Sequence, residues 1–291
     1  MQTLSLNLKP IDLNHYKKRQ ALESDFLALI TESTVVMIDD EPRIVYVELD
    51  EMGEDATPVA EALQTIDFEI IRGKRSGGMQ GSSRIFGWMP RRTLRNDFCH
   101  ISNLSVENPD AHYTITSYAE RIATWYQRYN PGLFAKHEDL MQSKIAQDYR
   151  LPDAPKSIFA SGIVNKNNSL PYHFDGGNFK DVWSCMLVFK RDIQGGYLSV
   201  PELDIGFQLK DNSLFMFDGQ GILHGVTPIT KTSRRAYRYS VVYYSLQQIW
   251  KCLPITDEMI RIRKVKTERE QRRAANMKDQ PHEPDQPATA E

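Results

Sequence analysis

VWSCMLVFKRDIQGGYLSVPELDIGFQLKDNSLFMF, residues 182–217, holds four short apolar runs set apart by turns. The runs are Val182–Phe189, Tyr197–Val200, Gly206–Leu209 and Ser213–Phe217. Glycine, proline and Asp/Asn residues lie between them, the punctuation of antiparallel strands. Working outward, Ser157–Asn165 upstream and Ile222–Val226 and Ala236–Ser245 downstream bring the series to seven. Ahead of them Ile115, Tyr118, Ile122, Trp125, Tyr126 and Tyr129 recur at helical spacing. Asn130-Pro131-Gly132 stops that helix, and a second is expected over roughly 137–148. Short strands following helices predict an α+β chain, an antiparallel barrel or jelly roll braced by helices.

Residues 1–69 read as a small α/β lead-in packed on this core. Val35–Ile38 and Ile44–Leu49 are strand candidates on either side of the turn-prone Asp39-Asp40-Glu41-Pro42, and Val59–Leu63 suits a short helix. Composition sets the outer bounds. The 291 residues are enough to bury a sizeable core, and 41% apolar with 25% charged residues is a globular balance. A net charge of −2 excludes a globally basic nucleic-acid coat protein, though not local basic patches. No apolar run approaches the roughly 20 residues of a membrane helix, and the N-terminus lacks a signal-peptide layout. Cys99, Cys185 and Cys252 are an odd, scattered set. They exclude a disulfide framework and a CxxC zinc site and suggest a reducing compartment. A soluble cytoplasmic protein, monomeric by default, is the expectation.

Two of the seven histidines fall inside the strand-rich half, in His173-Phe174-Asp175 and Leu223-His224-Gly225-Val226. On an extended segment residues i and i+2 share a face, so His173 and Asp175 can grip one ion together. His224, brought in from a distant strand, completes two imidazoles and a carboxylate, the facial triad that leaves open positions on Fe(II). Oxygen activation at such an iron needs electrons, which 2-oxoglutarate commonly supplies; its far carboxylate then needs a cation. Along Arg238-Tyr239-Ser240-Val241-Val242-Tyr243-Tyr244, alternation puts Arg238, Ser240, Val242 and Tyr244 on one face. Arginine matches a carboxylate in two places at once, and Ser240 adds a hydroxyl donor. Singly these signals are weak; their order and strand context are what give them force.

With these residues in place the sequence resembles the double-stranded β-helix dioxygenases, and within them the TET/JBP nucleobase oxygenases. The resemblance covers about residues 155–246. Asn178 in His-Phe-Asp-Gly-Gly-Asn, the Arg238-x-Ser240 pair and Tyr244 carry it. It implies Fe(II), 2-oxoglutarate and O2 as cofactors, with metal held by His173, Asp175 and His224 and 2-oxoglutarate by Arg238 and Ser240. It also implies that Asn178 hydrogen-bonds a flipped base in double-stranded DNA and that Tyr244 stacks on it. The expected reaction is hydroxylation of the 5-methyl group of a modified pyrimidine. Leu246 departs from the animal TET pattern, which has a histidine there, so thymine stands as second candidate base behind 5-methylcytosine. The cysteine-rich region of animal TETs is missing as well, and a compact microbial or phage-type member fits.

Residues 70–96 hold seven Lys or Arg, five glycines and no Asp or Glu. They read as a basic loop in which Arg75, Arg84, Arg91 and Arg92 contact DNA phosphates without reading sequence. Residues 70–256 then form the dioxygenase domain, 257–280 a basic helix and 281–291 a disordered tail. Two other readings stay open: a 2-oxoglutarate-dependent hydroxylase of a protein or small molecule, and a non-catalytic DNA-binding module on the same barrel.

Overall fold

The computed structural model describes residues 1–68, 82–90 and 98–278. Strands β1 (Gln2–Ser5), β2 (Ala28–Ile30), β3 (Thr34–Ile38), β4 (Glu41–Glu48), β5 (Ser82–Met89), β6 (His100–Ile101) and β7 (Ser161–Lys166) come first. They are followed by β8 (Ser184–Arg191), β9 (Ile193–Gly195), β10 (Leu198–Val200), β11 (Ile205–Phe207) and β12 (Ser213–Phe217). The series ends with β13 (Gly225–Val226), β14 (Ile229–Lys231) and β15 (Tyr237–Tyr244). Nine strands form one sheet in the order β1-β3-β4-β12-β8-β15-β7-β5-β6. Four form a smaller sheet, β13-β10-β11-β2, and β9 pairs with β14.

Period-2 alternation sorts the large sheet's side chains into two cores. Val45 and Val47, Cys185 and Leu187, Leu214 and Met216, and Tyr239, Val241 and Tyr243 all face the helices. There they meet Val59, Leu63, Ile115, Ile122 and Tyr126. The intervening residues Ile44 and Tyr46, Met186 and Val188, and Phe215 and Phe217 face the small sheet and pack on Leu198, Val200, Ile205 and Phe207. Residues 1–68 are woven into both layers, since β3 and β4 pair up to β12 while β2 extends the small sheet beside β11. Their hairpin turns at Asp39 and Asp40, both at positive φ (53° and 59°), where Asp is tolerated better than most residues.

Three sequence expectations change. The Asn130-Pro131 stop is also a start. Asn130 Oδ1 accepts the Leu133 N–H at 2.9 Å and Pro131 takes the first helical position, so the next helix is Pro131–Met141 and not 137–148. The basic stretch is not one loop. Ile85, Phe86 and Trp88 supply enough apolar surface to make residues 82–89 the strand β5, paired with β7. Gly87 in it has φ +71°, and a Cβ there would lie 2.7 Å from Ala160 O, so this glycine serves close packing. Arg75, Arg91 and Arg92 lie outside the described residues, as does the 281–291 tail. Downstream, Ile255–Lys278 is one helix. Thirdly, Cys99 and Cys252 form a disulfide, with Cα atoms 5.8 Å apart, while Cys185 is a buried free thiol. A pairing across 153 residues depends on tertiary approach and leaves no mark in spacing. Among the described residues no helix is long and apolar enough to cross a membrane.

One core residue is polar without a partner. His137 is 1% exposed among Tyr126, Phe159 and Phe179, and neither ring nitrogen has a hydrogen-bond partner among the described residues. Burial pushes its pKa down to about 3.

Two outcomes are expected. Denatured without reductant, the chain should show one reactive thiol, and three after reduction; reduction should cost on the order of 2–5 kcal/mol of stability. Three thiols from the start would remove the link. Because unfolded His137 binds a proton near pH 6.5 and folded His137 does not, stability should fall as pH drops below that value. Chemical denaturation of His137→Leu should show that slope reduced, by up to about 1.4 kcal/mol per pH unit. An unchanged slope would mean the ring takes up its proton while folded.

Candidate functional site

The two histidines meet through the backbone. His173 and His224 form an isolated antiparallel bridge, His173 N–H donating to His224 O at 2.9 Å and His224 N–H to His173 O at 3.2 Å. Residues directly opposite in such a pair project to the same side, and the ring centroids stand 4.4 Å apart. Asp175 follows two residues on, its N–H donating to Gly219 O at 2.8 Å. Its carboxylate crosses so close above Gly219 that any Cβ there would collide with it. Asp175 Oδ1 lies 3.6 Å from His173 Nε2 and 3.9 Å from His224 Nε2.

The donor set fits a metal ion. One ligand atom from each of the three residues can be chosen so that all lie within 4.8 Å of one another, and no other such cluster occurs among the described residues. The tautomers agree with that use. His173 Nδ1 is 2.7 Å from Pro171 O and His224 Nδ1 is 3.0 Å from Ile222 O. A carbonyl only accepts, so both Nδ1 atoms carry a hydrogen and Nε2 is the atom each ring presents to the shared space. Burial, with the His173 charge beside it, pushes the His224 pKa down to about 4, which keeps it neutral at pH 7. Burial would raise the Asp175 carboxyl, but the His173 and His224 rings beside it hold it below the usual carboxylate range.

These residues line a cavity of about 520 Å³ between the two sheets. Arg238, Ser240, Val242 and Tyr244 all line it, as the alternation along β15 requires. Arg238 is 3% exposed, and its Nη2 has no partner among the described residues. Its pKa, pushed down to about 10 by burial, still leaves it charged at pH 7. A buried, charged donor facing a cavity with nothing to hold is a socket for an anion. Its backbone is fixed by Asn167, whose N–H donates to Arg238 O at 2.8 Å while its Oδ1 accepts Arg238 N–H at 2.8 Å.

At another part of the wall Asn178 and Leu246 are bridged through their backbones, and both line the cavity with Tyr244. Asn178 Nδ2 donates to Ser184 Oγ at 3.0 Å, and its carbonyl accepts from Gln247 Nε2 at 2.7 Å. Arg84 is not at this wall. It projects from β5, with Nε donating to Asp67 O at 2.7 Å and Nη1 3.0 Å from Glu107 Oε2. Sequence reading passed over Asn165, Asn168 and Phe174, all of which line the cavity. The run Asn165-Lys166-Asn167-Asn168 was the available signal, since amides cluster where strands end and polar groups need fixed partners.

No family model matches the chain. Its curated relatives include the bifunctional helicase and thymine dioxygenase JBP2 of Leishmania infantum, 29% identical over 80% of this chain and 21% of that protein. JBP2 of Leishmania braziliensis is 24% identical over 60% of this chain and 15% of that protein. The chain therefore spans about a fifth or less of the length of these relatives. Among solved structures, NgTET1 in complex with 5mC DNA aligns with TM-score 0.45 and 16% identity over 77% of this chain and 80% of that one. A 2OG-Fe(II) oxygenase family oxidoreductase from Burkholderia pseudomallei aligns with TM-score 0.46 and 12% identity over 69% and 84%. By sequence the chain is similar to the dioxygenase-bearing JBP2 proteins.

Proposed function

We propose that this chain is an Fe(II)- and 2-oxoglutarate-dependent oxygenase that hydroxylates the 5-methyl group of a pyrimidine in DNA, on a double-stranded β-helix made by the two facing sheets. One observation carries the reading: a His-Asp-His cluster and a buried, unpartnered arginine open into the same cavity. His173, Asp175 and His224 would hold the iron, with both Nε2 atoms presented and the carboxylate ionised. Arg238 and Ser240 would hold the far carboxylate of 2-oxoglutarate. Bound there, iron with 2-oxoglutarate and O2 supplies the power to turn a methyl C–H into C–OH as the co-substrate becomes succinate and CO2. The protein's part is placement. Tyr244 lends a ring on which an extruded base can stack, and Asn178 an amide to meet its edge.

The sequence put 5-methylcytosine first, and two facts now weigh toward thymine. The curated relatives carry a thymine dioxygenase name, and the wall beside Asn178 presents the aliphatic Leu246. A protein or small-molecule hydroxylase is the second reading. The Arg84–Glu107 ion pair favours it, because that pair occupies one of the four arginines assigned to phosphate.

Metal and co-substrate should separate in a calorimetric titration. Asp175→Ala should weaken Mn(II) binding by more than the 10–100-fold typical of losing a mere supporting partner. Arg238→Met should leave Mn(II) binding intact and weaken 2-oxoglutarate by about 10–100-fold, since a hydrogen bond to a charged group is worth about 1.5–3 kcal/mol. Intact Mn(II) binding in Asp175→Ala would remove the cluster from the metal's ligands. For the substrate, nucleoside mass spectrometry should follow incubation with Fe(II), 2-oxoglutarate and ascorbate. Two duplexes are needed, one containing 5-methylcytosine and one in which thymine is the only 5-methylpyrimidine. Hydroxymethyluracil from both selects thymine, and 5-hydroxymethylcytosine from the first alone selects cytosine. Succinate without any modified base would move the substrate out of DNA.

A further inference from the structure

Ser83 on β5, Asn165 on β7 and Ser240 on β15 lie directly opposite one another, a single rung across three strands. The direction of the hydrogen bonds along that rung is fixed from one end. Ser82 N–H can only donate, and it donates to Asn168 Oδ1 at 3.0 Å. The Asn168 amide is thereby oriented, and its Nδ2 faces Asn165 Oδ1 at 3.2 Å and Ser83 Oγ at 3.1 Å. An amide nitrogen also only donates, so Ser83 Oγ accepts there and passes its own hydrogen to Asn165 Oδ1 at 2.7 Å. Asn165 Oδ1 accepts twice; flipping the amide would set NH2 against NH2. Asn165 Nδ2 is therefore left to donate to Ser240 Oγ, 3.4 Å away.

The consequence lies at Ser240. A serine hydroxyl serves as donor or acceptor, whichever its surroundings leave to it. With Asn165 donating to its oxygen, the Ser240 hydrogen is turned away from β7. Among the described residues nothing else takes it, and Ser240 lines the same cavity as Arg238. We propose that Asn165 is a positioning residue for the co-substrate: it makes the Ser240 hydroxyl a donor toward the carboxylate that Arg238 holds. This rests on the 2-oxoglutarate reading given above. Asn165 acts through Ser240 and need not touch the ligand.

Calorimetric titration of the Mn(II)-loaded protein under nitrogen tests this without turnover. The probes are 2-oxoglutarate and 2-oxobutanoate, which has the same metal-binding end but no far carboxylate. Asn165→Ala should weaken 2-oxoglutarate about fivefold, the scale of one net hydrogen bond, and leave 2-oxobutanoate unchanged. In a Ser240→Ala background the same substitution should cost nothing more. Asn165→Asp still accepts from Ser83 and Asn168 but claims the Ser240 hydrogen for itself, so its loss should exceed about tenfold. It also stands in should Asn165→Ala fail to fold. Equal losses for both probes, or a full loss with Ser240 already absent, would make Asn165 a structural residue only and end the proposal. If the unaltered protein binds both probes alike, the co-substrate reading itself fails, a result distinguishable from the first.

Discussion

The site depends on the reciprocal pair of backbone hydrogen bonds between His173 and His224. Neither residue belongs to a long strand. His224 directly precedes β13, two residues long, and His173 sits in the loop between β7 and β8. The bridge places both rings on one side at 4.4 Å, and the extended chain then delivers Asp175 to the same space. Backbone carbonyls of Pro171 and Ile222, each two residues before its histidine, set the tautomers. The main chain thus fixes the positions of two rings, their orientation and the nitrogen each presents, before any side chain beyond the cluster is involved.

How much of this the sequence carried follows from which interactions are local. The alternation along β15 was legible because a strand's faces are set by its own dihedrals, so Arg238, Ser240 and Tyr244 emerge together whatever surrounds them. The His-x-Asp spacing is local for the same reason. The rung from Ser83 through Asn165 to Ser240 was not legible, since it needs the register of three strands separated in sequence by up to 157 positions, 240 minus 83. Arg84, assigned to DNA phosphate within a basic loop, lies instead on a strand. Its neighbours Ile85 and Phe86 bury the strand, and Glu107 from a later helix then neutralises it. The Cys99–Cys252 bond stayed hidden because an odd number of cysteines is also what a chain with one pair and one buried thiol shows.

Among the described residues, two of the buried polar groups without partners differ in kind. His137 sits among aromatic rings away from the cavity, and holding it neutral costs stability only when the unfolded chain would be protonated. Arg238, with its pKa pushed down to about 10, is still charged at pH 7 and opens on the cavity, so its desolvation there is offset by an anion. Desolvation already suffered in folding need not be suffered again on binding. That is how a buried cation becomes a strong site for a carboxylate.

The same strand also sets the scale of the cavity. From Arg238 to Tyr244 is six residues, roughly 20 Å along an extended chain at about 3.3 Å per residue. A five-carbon dicarboxylate is far shorter than that. An anion held at Arg238 therefore does not reach the Tyr244 end of the wall, where Asn178 and Leu246 also line the cavity. The two ends differ in character as well as in place. One is a buried charge with a hydroxyl whose donor direction is fixed through Asn165, suited to a small anion. The other is an aromatic ring, an amide and an aliphatic side chain, suited to a flat, weakly polar group. A single strand with period-2 alternation keeps both ends on one face, so a small anion and a flat second molecule would share the cavity with the His-Asp-His cluster within its walls.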